Sequence, residues 1–190
     1  GKWMLVTADA KNPAYVGLYK ASLSDGTLSP IVEGEGVVGS AAISSKGDTV
    51  AYTYRSWSAL SELYFKGTDG KETQLTNSHN SEGFWKTQKI KPTLFSYKNR
   101  HGQTVRGYMY LPPDYKKGDK RPLWMYTYGG PLSSRGKDVL AGNFNQFNMY
   151  MAYKYGYITC TIDPRGMSGY GGAWESANWE SPGKAQVEDL

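Results

Sequence analysis

The pattern of apolar residues changes near residue 83, and this change limits the folds that the chain can adopt. Before that point apolar and polar residues alternate in short runs, a period of two that is typical of half-buried β-strands. The runs that we predict as strands are 3–8, 15–21, 37–44, 49–55 and 61–67. Turn signals built on Gly and Asp separate them, and no helical pattern is longer than one turn. Residues 1–82 are therefore predicted to be almost entirely β.

An internal repeat narrows the choice among β folds. The matched segments are 4–7 with 49–52, 18–20 with 63–65, and 25–26 with 69–70, at spacings of 45, 45 and 44 residues. A period of about 40–45 residues with four strands is typical of one propeller blade. One such blade cannot bury both of its faces alone, so blades stack in sets of about 4–8. Residues 1–82 are predicted to hold the last blades of a β-propeller; the alternative is chance similarity between two hairpins.

The second half has the pattern of an α/β sheet. Residues 90–97 and 104–111 flank a polar turn and predict a hairpin, and 123–128 and 157–162 are compact apolar runs typical of buried strands. Between those runs we predict a helix over 143–155, capped by Asn143 and ended by Gly156, with Phe144, Phe147, Met151 and Tyr155 on its apolar face. A strand, a helix and a strand at this spacing predict a parallel crossover.

Composition excludes several classes of protein. The net charge is +5, and a basic protein can bind nucleic acid. The basic residues of 83–190 lie in turn-rich stretches such as 98–100 and 116–121 and do not form a continuous basic stripe. We therefore predict no nucleic-acid binding. No apolar run is long enough to span a membrane. The single cysteine, Cys160, forbids an internal disulfide and is predicted to be a packed thiol in a buried strand.

A hydrolytic triad is absent from the 190 residues. The G-x-S-x-G elbow of α/β-hydrolases does not occur, and Gly166-Met167-Ser168 approaches it only with Tyr170 in place of the last glycine. The two histidines, His79 and His101, lie in polar stretches and are predicted to be surface residues. We therefore expect no nucleophile, base or acid of a triad in this chain. No metal-binding or phosphate-binding motif is present either, so no metal and no cofactor are predicted.

Tyr126-Thr127-Tyr128-Gly129-Gly130-Pro131 is the segment with the strongest signal for chemistry. It follows a predicted strand, where open α/β sheets bind ligands. A tyrosine hydroxyl or a backbone N–H there can stabilise an oxyanion, and the glycines allow close approach of the backbone. The alternative is an ordinary turn at the end of a strand.

These segments together resemble a known family. "GQTVRGYMYLPPDY", "RPLWMYTYGGP", "YGYITCTIDPRGMSGYGG" and "GKAQVEDL" are similar to the prolyl oligopeptidase family of serine peptidases, and most to its dipeptidyl-peptidase-IV-like branch. The resemblance implies a mixed fold, with the last blades of a β-propeller in 1–82 followed by the N-terminal part of an α/β-hydrolase domain in 83–190. It implies that Tyr128 is the oxyanion donor. It also implies that Asp163, Arg165 and Gly166 have mainly structural roles. The alternative is that Arg165 contacts the substrate directly.

The resemblance also carries an expected function. It implies a fragment of a serine exopeptidase that cleaves short peptides through an acyl-enzyme without a cofactor, with the catalytic Ser, Asp and His beyond residue 190. The isolated chain is then expected to be inactive. It further implies an extracytoplasmic location and a homodimer of the full-length protein. The alternatives are a non-catalytic homologue used for binding and an esterase of the same fold.

Overall fold

A computed structural model describes residues 2–78, 90–131, 133–134 and 145–190. The chain divides into two compact units. The described residues up to 78 lie in the first unit and those from 90 onward lie in the second. The predicted boundary between residues 82 and 83 lies outside the described residues.

Residues 2–78 form strands and turns only. The strands are β1 (Trp3–Ala8), β2 (Gly17–Ser22), β3 (Leu28–Val32), β4 (Val37–Ile43), β5 (Val50–Ser56), β6 (Ala59–Lys66) and β7 (Glu72–Gln74). They make two antiparallel sheets in sequential order, β1-β2-β3 and β4-β5-β6-β7. The five predicted strands are confirmed. The alternation rule missed β3 and β7 because β3 carries Pro30 and β7 is short and wholly exposed.

The repeat has a structural counterpart in the turn that leads into the last strand of each sheet. Gly26 and Gly70 have nearly the same backbone conformation, each with φ of +74°, which a residue with a side chain adopts only under strain. The preceding aspartates accept equivalent bonds, from Thr27 N–H to Asp25 at 3.0 Å and from Lys71 N–H to Asp69 at 2.9 Å. The same sequence signal therefore builds the same turn 44 residues later.

The core of the first unit draws on both sheets. Leu18 of β2 clusters with Val38 of β4 and with Val50 and Tyr52 of β5, and all four are buried. Partly buried side chains from β1, β3 and β6 complete the cluster. Each sheet thus contributes one apolar face to a shared interior, as stacking between sheets requires.

The second unit contains one mixed sheet with the order β10-β11-β9-β8. Its elements are β8 (Thr93–Lys98), β9 (Thr104–Tyr110), β10 (Leu123–Tyr126), α1 (Gln146–Tyr155), β11 (Ile158–Asp163), α2 (Gly172–Glu175), a 3₁₀ turn (Ser176–Asn178) and α3 (Lys184–Asp189). The predicted hairpin is β8–β9, and β10 and β11 are parallel, as predicted. The two parallel strands therefore end at the same edge of the sheet.

The helix between the parallel strands differs from its prediction in cap and in face. Asn143 and Phe144 lie outside the described residues, and the N-cap is Asn145, whose side chain accepts the Asn148 N–H at 3.1 Å. Gly156 ends the helix with a φ of 71°, as predicted. The predicted apolar face is wrong, because the buried residues of the helix are Asn148, Met149 and Ala152. Phe147 and Tyr155 on the predicted face are 55% and 58% exposed.

The two parallel strands also differ in burial. β11 is buried over nearly its whole length, as predicted, and Cys160 is a buried free thiol. The prediction that β10 is buried is wrong, because its four side chains are between 37% and 59% exposed. β10 stands at the end of the sheet order and has one strand neighbour among the described residues. A compact apolar run therefore identified the strand but not its position in the sheet.

Candidate functional site

The loop after β10 holds the predicted oxyanion donor. Tyr128 lies two residues beyond the strand, and 39% of its surface is exposed. Its ring lies over Gly130: a Cβ at that glycine would come within 2.6 Å of the ring carbon Cζ and would overlap the hydroxyl. The Gly130 carbonyl accepts a hydrogen bond from the Ser133 hydroxyl at 3.4 Å. The absence of a side chain at Gly130 therefore makes the position of the Tyr128 hydroxyl possible.

The neighbouring loop begins with a buried carboxylate at the end of β11. Asp163 has no exposed surface, and its Oδ2 accepts the Ser134 hydroxyl at 3.2 Å and the Tyr170 hydroxyl at 2.5 Å. Burial raises the pKa of Tyr170, and the nearby charge of Asp163 raises it further. The Tyr170 hydroxyl is thus held protonated as a donor to Asp163.

Arg165 is enclosed by acceptors from α3. Its Nε lies 3.0 and 3.1 Å from the two carboxylate oxygens of Asp189, and its backbone N–H donates to the same carboxylate at 2.7 Å. Its Nη2 donates to Glu188 at 2.9 Å and to the Ala185 carbonyl at 3.3 Å. The side chain is 11% exposed. These contacts favour the structural interpretation of Arg165 over a direct contact with substrate.

Gly166 is required by both conformation and space. Its φ is +96°, in the left-handed region that favours glycine. A Cβ at this position would also collide with the side-chain amide of Asn178. Its N–H donates to the Trp174 carbonyl at 2.8 Å, and the Trp174 indole returns a bond to the Pro164 carbonyl at 3.1 Å. The glycine therefore shapes the loop, as the resemblance implied.

Asp189 is a structural centre that the sequence reasoning missed. Its side chain is 1% exposed and also accepts the Asn99 amide at 2.8 Å, while its backbone carbonyl accepts the Tyr97 hydroxyl. The carboxylate thus joins the turn of the β8–β9 hairpin, the loop after β11 and α3. Its partners lie 24 and 90 residues away in sequence, so no local pattern could have identified it.

Gln186 joins the loop after β10 to the start of α3 and was also missed. Its Nε2 donates to the Gly129 carbonyl at 3.2 Å, and its Oε1 accepts the Gly183 N–H at 3.0 Å. Both the oxygen and the NH₂ group of the Gln186 side-chain amide are therefore hydrogen-bonded. Position N3 of a predicted helix was the one available signal, because glutamine there commonly bonds back to the first turn.

The other candidate nucleophiles and bases have structural surroundings. His101 Nε2 lies 3.1 Å from Glu188 and its side chain is 46% exposed, which agrees with a surface residue. His79 lies outside the described residues. Burial raises the pKa of the Cys160 thiol, so this cysteine is a poor nucleophile. The Ser168 N–H donates to the Ser133 carbonyl at 3.0 Å.

The described residues form neither a metal-binding cluster nor a membrane-spanning helix. No group of three or more His, Cys, Asp or Glu side chains in the described part of the chain is placed to hold a metal ion. None of the helices formed by the described residues is both long and apolar enough to span a membrane.

Comparison with known proteins supports the family resemblance. Residues 143–190 match the family described as the prolyl oligopeptidase family. The resemblance to the prolyl oligopeptidase family is confirmed. The chain is 30% identical over 102 residues to human dipeptidyl peptidase 8, a match that covers 52% of this chain and 11% of that protein. It is 25% identical over 178 residues to dipeptidyl peptidase 4 of Trichophyton equinum, covering 90% of this chain and 23% of that protein.

Solved structures extend the similarity in fold to the whole chain. A crystal structure of Porphyromonas gingivalis dipeptidyl peptidase 4 aligns with a TM-score of 0.77 at 18% identity, covering all of this chain and 28% of that one. The acylaminoacyl peptidase of Pyrococcus horikoshii aligns with a TM-score of 0.70 at 24% identity, covering 98% of this chain and 27% of that one. The 190 residues thus span about a quarter or less of these prolyl oligopeptidase family relatives and structural neighbours.

Proposed function

We propose that this chain is part of a serine peptidase of the dipeptidyl peptidase type, in which the Tyr128 hydroxyl stabilises the oxyanion of the tetrahedral intermediate. Residues 1–82 supply the last blades of a β-propeller, and residues 83–190 begin the α/β-hydrolase domain. The nucleophilic serine and its acid and base partners follow residue 190 in the longer protein. The similarity to dipeptidyl peptidases in sequence and fold supports this assignment.

The observation that carries the proposal is the position of Tyr128. It lies just beyond the carboxyl end of β10, beside the parallel strand β11, where open α/β sheets place their ligands. Its ring is partly exposed, and the bare backbone of Gly130 leaves space for the hydroxyl. A hydroxyl in this place can donate a hydrogen bond to a substrate oxygen that approaches the edge of the sheet.

The chemistry requires a donor that acts mainly in the transition state. Attack by a serine Oγ on the peptide carbonyl carbon moves the π electron pair onto the carbonyl oxygen. The Tyr128 O–H donates to that oxygen while its negative charge develops. The base takes the proton of the serine hydroxyl during attack and gives it to the leaving nitrogen. Collapse of the intermediate returns the electron pair to the carbonyl, breaks the C–N bond, releases the amine and leaves an acyl-serine, which water then hydrolyses to the acid and free serine. Donors aimed at the developing charge lower the barrier more than they strengthen substrate binding.

Short peptides are the proposed substrates, because the relatives described above are named dipeptidyl peptidases. The homodimer and the extracytoplasmic location stay predictions from the family resemblance. The isolated 190-residue chain is expected to show no peptidase activity, since its sequence contains no serine elbow. Activity above background in the purified chain, sensitive to a serine-directed phosphonate, would overturn that expectation.

The experiment that tests the proposal is Tyr128→Phe in the full-length protein. Loss of one oxyanion donor typically lowers kcat by about 10²–10³-fold, with a smaller effect on KM. The ring is retained, so Tm should stay within a degree or two of the wild type. Dipeptide-nitroanilide hydrolysis gives kcat and KM, and a thermal scan gives Tm.

Tyr115→Phe is the matched control. Tyr115 lies in the loop that precedes β10, at the end of the strand opposite to Tyr128. The Tyr115→Phe substitution should therefore leave kcat unchanged. An unchanged kcat in Tyr128→Phe would remove Tyr128 from the site. A full-length protein without the serine elbow would instead support the binding homologue, and hydrolysis of esters but not peptides would support the esterase.

A further inference from the structure

We propose that Gln186 is a positioning residue that holds the loop after β10 and, through it, the Tyr128 hydroxyl. The inference rests on the proposed function of Tyr128. Gln186 donates a hydrogen bond to the carbonyl of Gly129, the residue that follows Tyr128. It would therefore act on catalysis through the backbone of that loop.

The orientation of the Gln186 amide is fixed by its two partners. The Gly183 N–H can only donate, so it must face the amide oxygen, which lies 3.0 Å away. The Gly129 carbonyl can only accept, so it must face the NH₂ group at 3.2 Å. Turning the amide over would place donor against donor and acceptor against acceptor. One orientation therefore satisfies both bonds.

Two glycines provide the space that Gln186 occupies. A Cβ at Gly129 would lie 2.5 Å from the Gln186 Cγ, and a Cβ at Gly166 would lie 2.8 Å from its Nε2. Each distance is shorter than side-chain contacts allow. The glutamine thus lies in a notch between the loop after β10 and the loop after β11, and a side chain on either glycine would displace it.

The bond to Gly129 constrains the surface on which Tyr128 rests. The Gly129 carbonyl belongs to the peptide unit that links Gly129 to Gly130, and a peptide unit is planar. Holding that oxygen holds the plane that leads into Gly130. The Tyr128 ring lies over Gly130, so the orientation of this plane decides where the hydroxyl stands.

Gln186 itself stands on a well-anchored support. The preceding residue, Ala185, is 4% exposed, and Asp189 in the same helix is tied to Arg165 at 3.0 Å. α3 is thereby fixed to the loop after β11. A positioning group is effective when its own support is rigid, because a displacement of about 1 Å can cost about 10²-fold in rate.

The test is a pair of substitutions in the full-length protein. Gln186→Met keeps the length of the side chain and loses both hydrogen bonds. We expect kcat to fall about five- to tenfold with KM nearly unchanged, because the net free energy of one neutral hydrogen bond corresponds to a factor of this size. Gln186→Glu keeps the acceptor for Gly183 but turns a carboxylate oxygen toward the Gly129 carbonyl. Its kcat should fall further than that of Gln186→Met. Lys184→Met, an exposed position on the same helix, should leave kcat unchanged.

The decisive measurement is the double variant with Tyr128→Phe. If Gln186 acts through the Tyr128 hydroxyl, Gln186→Met should lower kcat by less than about twofold in that background. A full additive loss there, or an unchanged kcat in the single variant, would overturn the inference. An unchanged kcat in Tyr128→Phe alone would instead overturn the proposed function.

Gly129→Ala supplies a second route if Gln186→Met does not fold. The added methyl group would lie 2.5 Å from the Gln186 Cγ and should displace the side chain. We expect the same loss in kcat, again abolished in the Tyr128→Phe background. A Gly129→Ala enzyme with wild-type kcat would contradict the positioning role.

Discussion

Two loops at one edge of the same sheet differ in what surrounds their tyrosines. The loop after β10 presents Tyr128 with 39% of its surface exposed, whereas the loop after β11 directs the Tyr170 hydroxyl onto the buried carboxylate of Asp163. Arg165, in the second loop, is enclosed by the acidic end of α3. Parallel neighbouring strands thus support one loop with a partly exposed tyrosine and one whose tyrosine is bonded to a buried carboxylate. We propose that the first tyrosine serves chemistry and the second serves stability.

Removing the carboxylate of Asp189 should have the largest effect on stability. Asp189→Ala removes the acceptor of the Arg165 Nε and backbone N–H, so that Arg165 keeps Glu188 as its one ion-pair partner among the described residues. It also removes one of the two acceptors of the Asn99 amide. Loss of one partner of a buried ion pair costs about 3–5 kcal/mol. The expected result is a large fall in Tm of the full-length protein. Asp119→Ala, which removes a more exposed partner of Arg121, should change Tm little, and equal shifts in the two variants would contradict this view of the second loop.

Tyr170→Phe should give the reverse of the Tyr128→Phe result. It removes a hydrogen bond to a buried carboxylate and should cost about 1.5–3 kcal/mol of stability. The kcat of the folded protein should change far less than in Tyr128→Phe. Chemical denaturation and nitroanilide kinetics on the two variants, measured side by side, would show whether the loops divide these roles.

The same tyrosine predicts a dependence of stability on alkaline pH. The pKa of Tyr170 is raised in the folded state above the ordinary value of 10.0. Its contribution is therefore complete below pH 10 and is lost as pH rises above that value. Tyr170→Phe should show a smaller loss of Tm between pH 9 and 11 than the wild type.

Gly130→Ala should lower activity with little effect on folding. The added Cβ would lie 2.6 Å from the Tyr128 Cζ and even closer to the hydroxyl oxygen, which would force the ring to turn. We expect kcat to fall about tenfold, equivalent to about 1.4 kcal/mol. Gly172→Ala is the matched control, since nothing lies within 4 Å of its missing Cβ. Equal kcat in the two variants would mean that the ring position does not matter.

Glu188→Gln should give the smallest change, visible as a dependence on acidic pH. Its hydrogen bond to Arg165, and then that to His101, lower the pKa of Glu188 below the ordinary value of 4.5. A lowered carboxylate pKa stabilises the fold above pH 4.5, and the contribution disappears as pH falls through the lowered value. The wild type should lose slightly more Tm than Glu188→Gln between pH 6 and 3.5.

The sequence predicted the elements whose signals are local. Alternation located β1, β2, β4, β5 and β6, and the Asp-Gly pairs located the turns at Gly26 and Gly70. The parallel pairing of β10 with β11 followed from the intervening helix. The position of Tyr128 at the end of β10 also followed from the sequence, because a Gly-Gly-Pro segment ends a strand.

The features that the sequence could not predict depend on contacts between distant segments. The buried face of α1 contains Asn148, which no apolar pattern selects, and the Asn148 carbonyl accepts the Thr159 hydroxyl at 3.0 Å. Asp189 and Gln186 acquire their roles from partners across the fold. Exposure of β10 depends on its place in the sheet order, which side-chain composition does not encode.

The open side of β10 has a consequence for handling the protein. Within the described residues β10 pairs on one side with β11, and its four exposed side chains are Leu, Trp, Met and Tyr. An uncovered strand edge with apolar side chains can template pairing with a second chain. During synthesis this strand edge is exposed from the time the sheet forms until other residues or a partner chain cover it. A preparation of these 190 residues alone should therefore self-associate with increasing concentration, and charged substitutions on this strand should delay that clustering.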